Sequence, residues 1–247
     1  MPDEGGDGFA IDVAGRPDIS GPAAPALVRP HLSDRTDRSP IGTYQRTVKR
    51  LFDVAIAGCL LLILSPVFAF TAALILLSDG RPIFFVQDRV GKGQRLFPLF
   101  KFRTMVPGAE TILASWKVEK PELWHSYLQN NFKIQNDPRL LPGGSFLRRF
   151  SVDELPQLWN VLRGDMSLVG PRPLLPSEVE HYPGGLRLYA SVRPGITGSW
   201  QVSGRSCTTF DERARLDNLY LRDVTWRIDC KLLLRTLPSV LSGTGAC

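Results

Sequence analysis

Residues 54–77 read VAIAGCLLLILSPVFAFTAALILL, 24 consecutive residues without a charge. Arg46, Lys49 and Arg50 precede the run, and Asp79 and Arg81 follow it. About 20 apolar residues in a helix span the hydrocarbon core of a bilayer, so length alone reads this stretch as a membrane segment rather than a buried core helix. Ser65-Pro66 stands at its midpoint. Proline removes one helical hydrogen bond, clashes with the preceding turn and pushes the residue before it out of the α region. The arms on either side, 54–64 and 67–77, are each about 16 Å long at ~1.5 Å per residue, half of a bilayer. Two outcomes are open: a kinked helix that still crosses, or a helix–break–helix that enters one leaflet and returns. Bases flank both ends (Arg46, Lys49, Arg50, then Arg81, Arg89, Lys92), which favours both ends being cytoplasmic and tilts the reading toward return.

Outward from that run, the charge is unevenly spread over the 247 residues. Residues 1–40 carry seven acids and four bases, the remainder 26 bases and 17 acids. A basic body suits an anionic partner: nucleic acid, a phosphorylated small molecule or an anionic lipid surface. There is no Gly-X-Y period and no heptad run, and the apolar content is too high for wholesale disorder. Four scattered cysteines (Cys59, Cys207, Cys230, Cys247) and three histidines argue against both a zinc site and a disulfide scaffold, and for a reducing compartment. Residues 1–40, with six prolines and five glycines, read as a disordered tail with no apolar core of a signal peptide. The expected organisation is a tail over 1–40, a basic flank and membrane helix over 41–80, and a globular α+β domain over 81–247.

Within that domain, RPIFFVQDRVG and RLFPLFKFRTM are Phe- and Val-rich extended segments separated by Gly91-Lys92-Gly93. Residues 108–135 are helix-like, Asn136-Asp137-Pro138 and Leu141-Pro142-Gly143-Gly144 are turns, and a helix runs from near Asp153 to Arg163-Gly164. GPRPLLPSE is a proline-pinned loop, RPGITGSWQVSGR is extended, and Thr209-Phe-Asp-Glu212 is a capping box. The closing WRIDCKLLLRTLPSVL is amphipathic, with core packing and an interfacial position on lipid both open.

The chemistry concentrates in SFLRRFSVDELPQLWNVLRGDMSLVGPRP, residues 145–173. With Asp153 as N-cap, Pro156 falls at the third helical position, where a missing N–H costs nothing. Asp153 and Glu154 would then sit at the positive end of a helix dipole, which lowers a carboxylate's pKa and welcomes a phosphate. Ordinary helix starts look the same, so the pair taken alone reads as a cap. The surroundings shift that balance: Arg148, Arg149, Arg163 and Arg172 lie within 20 residues of the pair, and guanidinium forks match phosphate oxygens. A nucleic-acid partner is set aside, because no binding module is present and the bases do not share a helix face.

These stretches carry a resemblance. KRLFDVAIA, FFVQDRVGKGQRLFPLFKFRTM, DPRLLPGGSFLRRFSVDELPQLWNVLRGDMSLVGPRP and RPGITGSWQVSGR with DERARLD, in this order over residues 46–246, resemble the bacterial sugar transferase family of monotopic phosphoglycosyl transferases, in its minimal catalytic form. The resemblance implies a re-entrant helix broken at Ser65-Pro66 with both ends cytoplasmic, and a compact catalytic domain with amphipathic interfacial helices at the cytoplasmic face of the bacterial inner membrane. It implies Asp153 as nucleophile, Glu154 as a ligand of Mg²⁺, and Arg148, Arg172, Lys101 and Arg103 as groups that hold substrate phosphate or nucleotide. The expected reaction moves a phosphosugar from a UDP-sugar to a polyprenyl phosphate with release of UMP, priming glycan or exopolysaccharide assembly. UDP-glucose and UDP-galactose are common donors in the family, and no residue here selects between them. The alternative is a non-catalytic membrane-anchored scaffold of the same fold.

Overall fold

The apolar run folds as two helices, α1 (Lys49–Ile63) and α2 (Ser65–Asp79), bent by 60° at the break. The break falls one residue earlier than the proline rule places it: Leu64 leaves the helical region at φ −90°, ψ 4°, while Ser65 already opens α2, and Ser65 Oγ donates at 2.8 Å to the Leu62 carbonyl, which Pro66 has no N–H to serve. Among the described residues no single helix is long and apolar enough to cross a membrane; the bent pair is, taken together, by length and composition. Leu62, Ile63, Val67 and Phe70 around the bend are exposed, whereas Ala57 and Ile75, midway along each arm, are fully buried. The bend therefore stands clear of the body, and the outer halves of both arms dock on it.

The structure is a computed structural model that describes residues 44–129, 134, 137–182, 186–203 and 209–242. The tail expected over 1–40 lies outside the described residues. Residues 41–247 form one unit. After α2 come the antiparallel strands β1 (Phe84–Val90) and β2 (Leu96–Phe102), paired from Phe84↔Phe102 to Val90↔Leu96 around a short turn at Lys92–Gln94. Helices α3 (Ala109–Glu119), α4 (Pro121–Gln129), α5 (Gly144–Arg149) and α6 (Gln157–Arg163) follow. Strand β3 (Ser167–Val169) pairs in parallel with β4 (Gly195–Thr197), with α7 (Leu186–Ser191) between them. Helices α8 (Ser199–Ser203), α9 (Phe210–Arg222) and α10 (Trp226–Leu241) complete the chain. The α+β expectation holds, with two small sheets among many helices. RPGITGSWQVSGR is only partly extended: after Thr197 it turns into α8.

The main core joins Ala57 of α1 to Phe97 and Leu99 of β2, Leu158 and Val161 of α6, Met166, Leu168 and Val169 around β3, and Tyr220, Leu221 and Leu232 of the last two helices. A second cluster seats Ile75 of α2 on Phe102 and Leu141. The expected N-cap at Thr209 forms, accepting from Glu212 N at 3.3 Å. Helix α10 packs one face on the body and leaves the other exposed. Asp229 and Leu232 are buried in the body, while Trp226, Leu234 and Leu237 are exposed, with Arg227, Lys231 and Arg235 beside that apolar stripe.

Candidate active site

Asp153 and Glu154 lie in a 3₁₀ turn, Val152–Glu154, wedged between α5 and α6. The expected N-cap role of Asp153 is overturned. Pro156 has no N–H to reach the Val152 carbonyl, so that carbonyl takes Leu155 N instead, at 3.2 Å, and the α-helix starts only at Gln157. Ser151 turns the chain into this wedge in the left-handed region, φ 54°, ψ 24°, a conformation that costs a non-glycine residue free energy and marks a position held by its surroundings.

The dipole argument for a lowered pKa fails with the cap. Asp153 is pushed up from 3.8 to about 6, first by burial and then by the neighbouring Glu154 charge, with Lys101 and Arg148 opposing the rise. Lys101 ion-pairs with Glu154, Nζ to Oε1 at 2.7 Å. Strand alternation delivers it: Phe97, Leu99 and Lys101 share one face of β2, two in the core and the third at its rim, against the carboxylates. Arg148, at the end of α5, donates from Nε to Thr104 Oγ1 at 2.9 Å; burial lowers its pKa, while Asp153 and then Asp137 sustain its charge.

Arg103 is not brought to the carboxylates. It is 5% exposed, and its guanidinium donates to Pro82 O at 2.6 Å, to the Asp79 carboxylate, and to the Asp79 and Gly80 carbonyls at 3.2 and 3.0 Å. Four of its five N–H donors thus clasp the end of α2 to β2. The substrate-phosphate role expected of it gives way to that structural one.

Arg172 stands in a second group of guanidiniums. Close approach of backbone shapes its loop: a Cβ on Gly170 would lie 2.6 Å from the Arg193 carbonyl, and one on Gly195 would lie 2.1 Å from Gly170 N. Asp217 of α9 accepts from Arg172 N at 3.1 Å, and burial drives the Asp217 pKa to about 7. The Arg172 and Arg213 guanidiniums lie 5.5 and 4.9 Å from the Trp200 ring centroid. Arg89 donates to Pro173 O at 3.1 Å and to Gln87 Oε1 at 2.7 Å; burial and the Arg172 charge lower its pKa, and Glu178 and Glu154 partly restore it. Buried Nε atoms of Arg89 and Arg172 have no hydrogen-bond partner among the described residues. A line of charge thus runs from Asp153 through Glu154 and Arg89 to Arg172 and Arg213. Arg149 and Arg163 are elsewhere, the first exposed over Phe150 and the second paired with Asp165 at 3.4 Å.

Sequence reasoning missed three members of this set. In the sequence Arg89 is only a flanking charge, and Arg213 and Asp217 carry no role beyond their place in DERARLD, which is the one signal that points to them. Asn160 was also missed. Fully buried, it accepts from Phe100 N at 3.1 Å and donates to Pro98 O at 2.7 Å, which ties α6 to the strand carrying Lys101. An anion would meet two adjacent carboxylates, one ammonium and several guanidiniums, an arrangement fitted to charge-neutralised attack on phosphorus.

The family model described as bacterial sugar transferase matches residues 44–243. The undecaprenyl-phosphate galactose phosphotransferase of Salmonella typhimurium is 40% identical over 201 residues, 81% of this chain and 42% of that protein. The exopolysaccharide production protein ExoY of Sinorhizobium fredii is 38% identical over 198 residues, 80% of this chain and 87% of that protein. A UDP-N-acetylgalactosamine-undecaprenyl-phosphate N-acetylgalactosaminephosphotransferase of Aeromonas hydrophila is 34% identical over 214 residues, 84% of this chain and 46% of that protein. The chain thus spans less than half of two of these relatives and most of ExoY. With the family model matched across both arms of the α1–α2 pair, the carboxylate turn and the arginine loops, the chain belongs to the bacterial sugar transferase family.

Proposed function

We propose that this protein transfers a phosphosugar from a UDP-sugar to undecaprenyl phosphate with release of UMP, priming exopolysaccharide or related glycan assembly. The observation that carries the reading is the Asp153-Glu154 turn: a buried carboxyl beside an ion-paired partner, facing Lys101 and Arg148, its pKa pushed up to about 6. The relatives' names supply the substrate class.

Asp153 acts as nucleophile. One of its oxygens bonds to the sugar-bearing phosphorus, and the bond from that phosphorus to the bridging oxygen breaks, its electron pair leaving with UMP. An oxygen of the lipid phosphate then attacks the same phosphorus and the bond to Asp153 breaks, which restores the carboxylate. Arg148 neutralises charge beside Asp153, while Arg89, Arg172 and Arg213 hold the diphosphate on the Glu154 side.

Among the described residues no group of three or more His, Cys, Asp or Glu side chains could hold a metal ion. Asp153 and Glu154 offer adjacent carboxylates, a donor set that suits Mg²⁺ arriving with a diphosphate rather than a dedicated cage. Glu154 would hold the ion, with Lys101 free to yield its share of Oε1; when bound, Mg²⁺ supplies further charge neutralisation.

The bent α1–α2 pair enters and leaves one leaflet at the cytoplasmic face of the bacterial inner membrane. Exposed apolar residues at the bend and the exposed Trp226–Leu237 stripe of α10 support this reading. Such seating brings the carboxylates to the depth of a lipid phosphate. The test is UMP release from a panel of UDP-sugars by the full chain in detergent: release that rises on adding polyprenyl phosphate is expected for at least one sugar, and no release from any sugar contradicts the proposal.

A further inference from the structure

Beyond the far end of the β1–β2 hairpin from Lys101 lies a cavity of about 240 Å³ that the proposed reaction does not use. Five register steps, ~17 Å of strand, separate Lys101 from Leu96 at the hairpin turn. Lys49, Arg50, Lys92 and Arg193 line the cavity, against Asp53 as the carboxylate of its wall.

The four cations are not equivalent. Lys49 is ion-paired with the buried Asp229. Arg50 donates to the Val161 and Leu162 carbonyls at 2.6 and 2.9 Å, and Arg193 Nε donates to the Gly164 carbonyl at 2.7 Å, so both close the C-terminus of α6. Asp53 is held by Leu168 N at 3.0 Å. What remains is the Lys92 ammonium and the terminal nitrogens of Arg193, and neither residue makes an ion pair among the described residues. Lys92 stands in the field of Arg193: partial desolvation of its ammonium, then the Arg193 charge, lowers its pKa, though the residue as a whole is exposed. An oxyanion between them would relieve that repulsion and take charge-assisted hydrogen bonds from both.

Place narrows the source of the oxyanion. Arg50 is about one helical turn, and Lys49 about one and a half, from Val54, where the apolar run begins. Val48, Leu51 and Phe52 beside them are exposed apolar residues. In the re-entrant reading, on which the depth of the cavity rests, its mouth lies among lipid head groups. We infer that this cavity binds the phosphate of an anionic membrane lipid through Lys92 and Arg193, a second lipid site apart from the carboxylates.

The test uses the full chain in a non-ionic detergent, with dihexanoyl phosphatidylglycerol, dihexanoyl phosphatidylcholine and inorganic phosphate as separate probes, each followed by ³¹P NMR line broadening. The glycerol lipid should bind the wild type, Lys92→Gln should weaken it about tenfold or more, and Arg149→Gln, at the exposed guanidinium over Phe150, should leave it unchanged. Lys92 is exposed in a turn, so its variant keeps the fold even if Arg193→Gln, which uncaps α6, does not. The zwitterionic lipid should bind more weakly than the glycerol lipid. Lipid binding that ignores Lys92→Gln overturns the inference. So does inorganic phosphate that alone depends on Lys92, which would make this a site for a soluble phosphate. Cysteine labelling on either side of the membrane segment tests the depth separately, and UMP release tests the reaction separately.

Discussion

Asp153→Asn separates a nucleophile from a structural carboxylate, because the two roles move stability in opposite directions. The wild-type carboxyl is pushed from 3.8 to about 6 in the fold. A raised carboxyl pKa means that stability is fullest below the unfolded value and falls as pH rises through the folded one. At about pH 7.5 the ionised group therefore costs the fold roughly 3 kcal/mol against its neutral form, at ~1.4 kcal/mol per tenfold. Asn is neutral and close in shape, so the variant should melt higher, by about 5–10 °C at that pH. The gap should shrink to about half near pH 5, where the native carboxyl is already largely protonated. Turnover, measured as UMP release, should vanish with the nucleophile. Thermal melts across pH and the UMP assay on the same preparations make the check. A variant that melts lower than wild type at neutral pH would show that the charge is a structural partner of Arg148 and Lys101, and near-normal turnover would remove Asp153 from the reaction.

The pH dependence of kcat/KM should fall tenfold per pH unit below about pH 6, because the nucleophile must be ionised; a flat profile down to pH 5 would contradict the pKa and role given to Asp153. Asn160→Leu leaves Phe100 N and Pro98 O unpaired in the core at ~1–3 kcal/mol each, so a melt should show a loss of several degrees or failure to fold, and an unchanged Tm would refute its bridging role. Cysteines placed near residues 45 and 85 in a cysteine-free background should both label only after the membrane is opened. Labelling of one from the periplasm would mean that α1–α2 spans. Replacing Ser65-Pro66 with Ala-Leu should restore a continuous helix and shift it toward spanning.

Much of this fold could be read from the chain, and the exceptions have physical causes. Pro66 announced the break because its ring fixes the backbone locally, and Gly91-Lys92-Gly93 between two Phe-rich runs announced the hairpin. The carboxylate turn was misread as a helix start because Pro156 was judged for its own missing N–H and not for the carbonyl that this leaves to Leu155. Arg103 follows the last residue of β2, and its place in the sequence does not fix which acid its long side chain meets; in the fold it meets Asp79 at the end of α2. Asp217 and Arg213 could not be placed because their partners Arg172 and Trp200 come from another part of the chain, and only the α9 packing brings them together.

Covalent capture tests the central claim most directly. Wild-type protein given an accepted UDP-sugar without lipid acceptor should release at most one UMP per active site and gain the mass of one phosphosugar, on the peptide that contains Asp153. Adding polyprenyl phosphate should discharge that mass. A reaction in which no UMP appears until both substrates are present, with no gain in protein mass, would contradict the account.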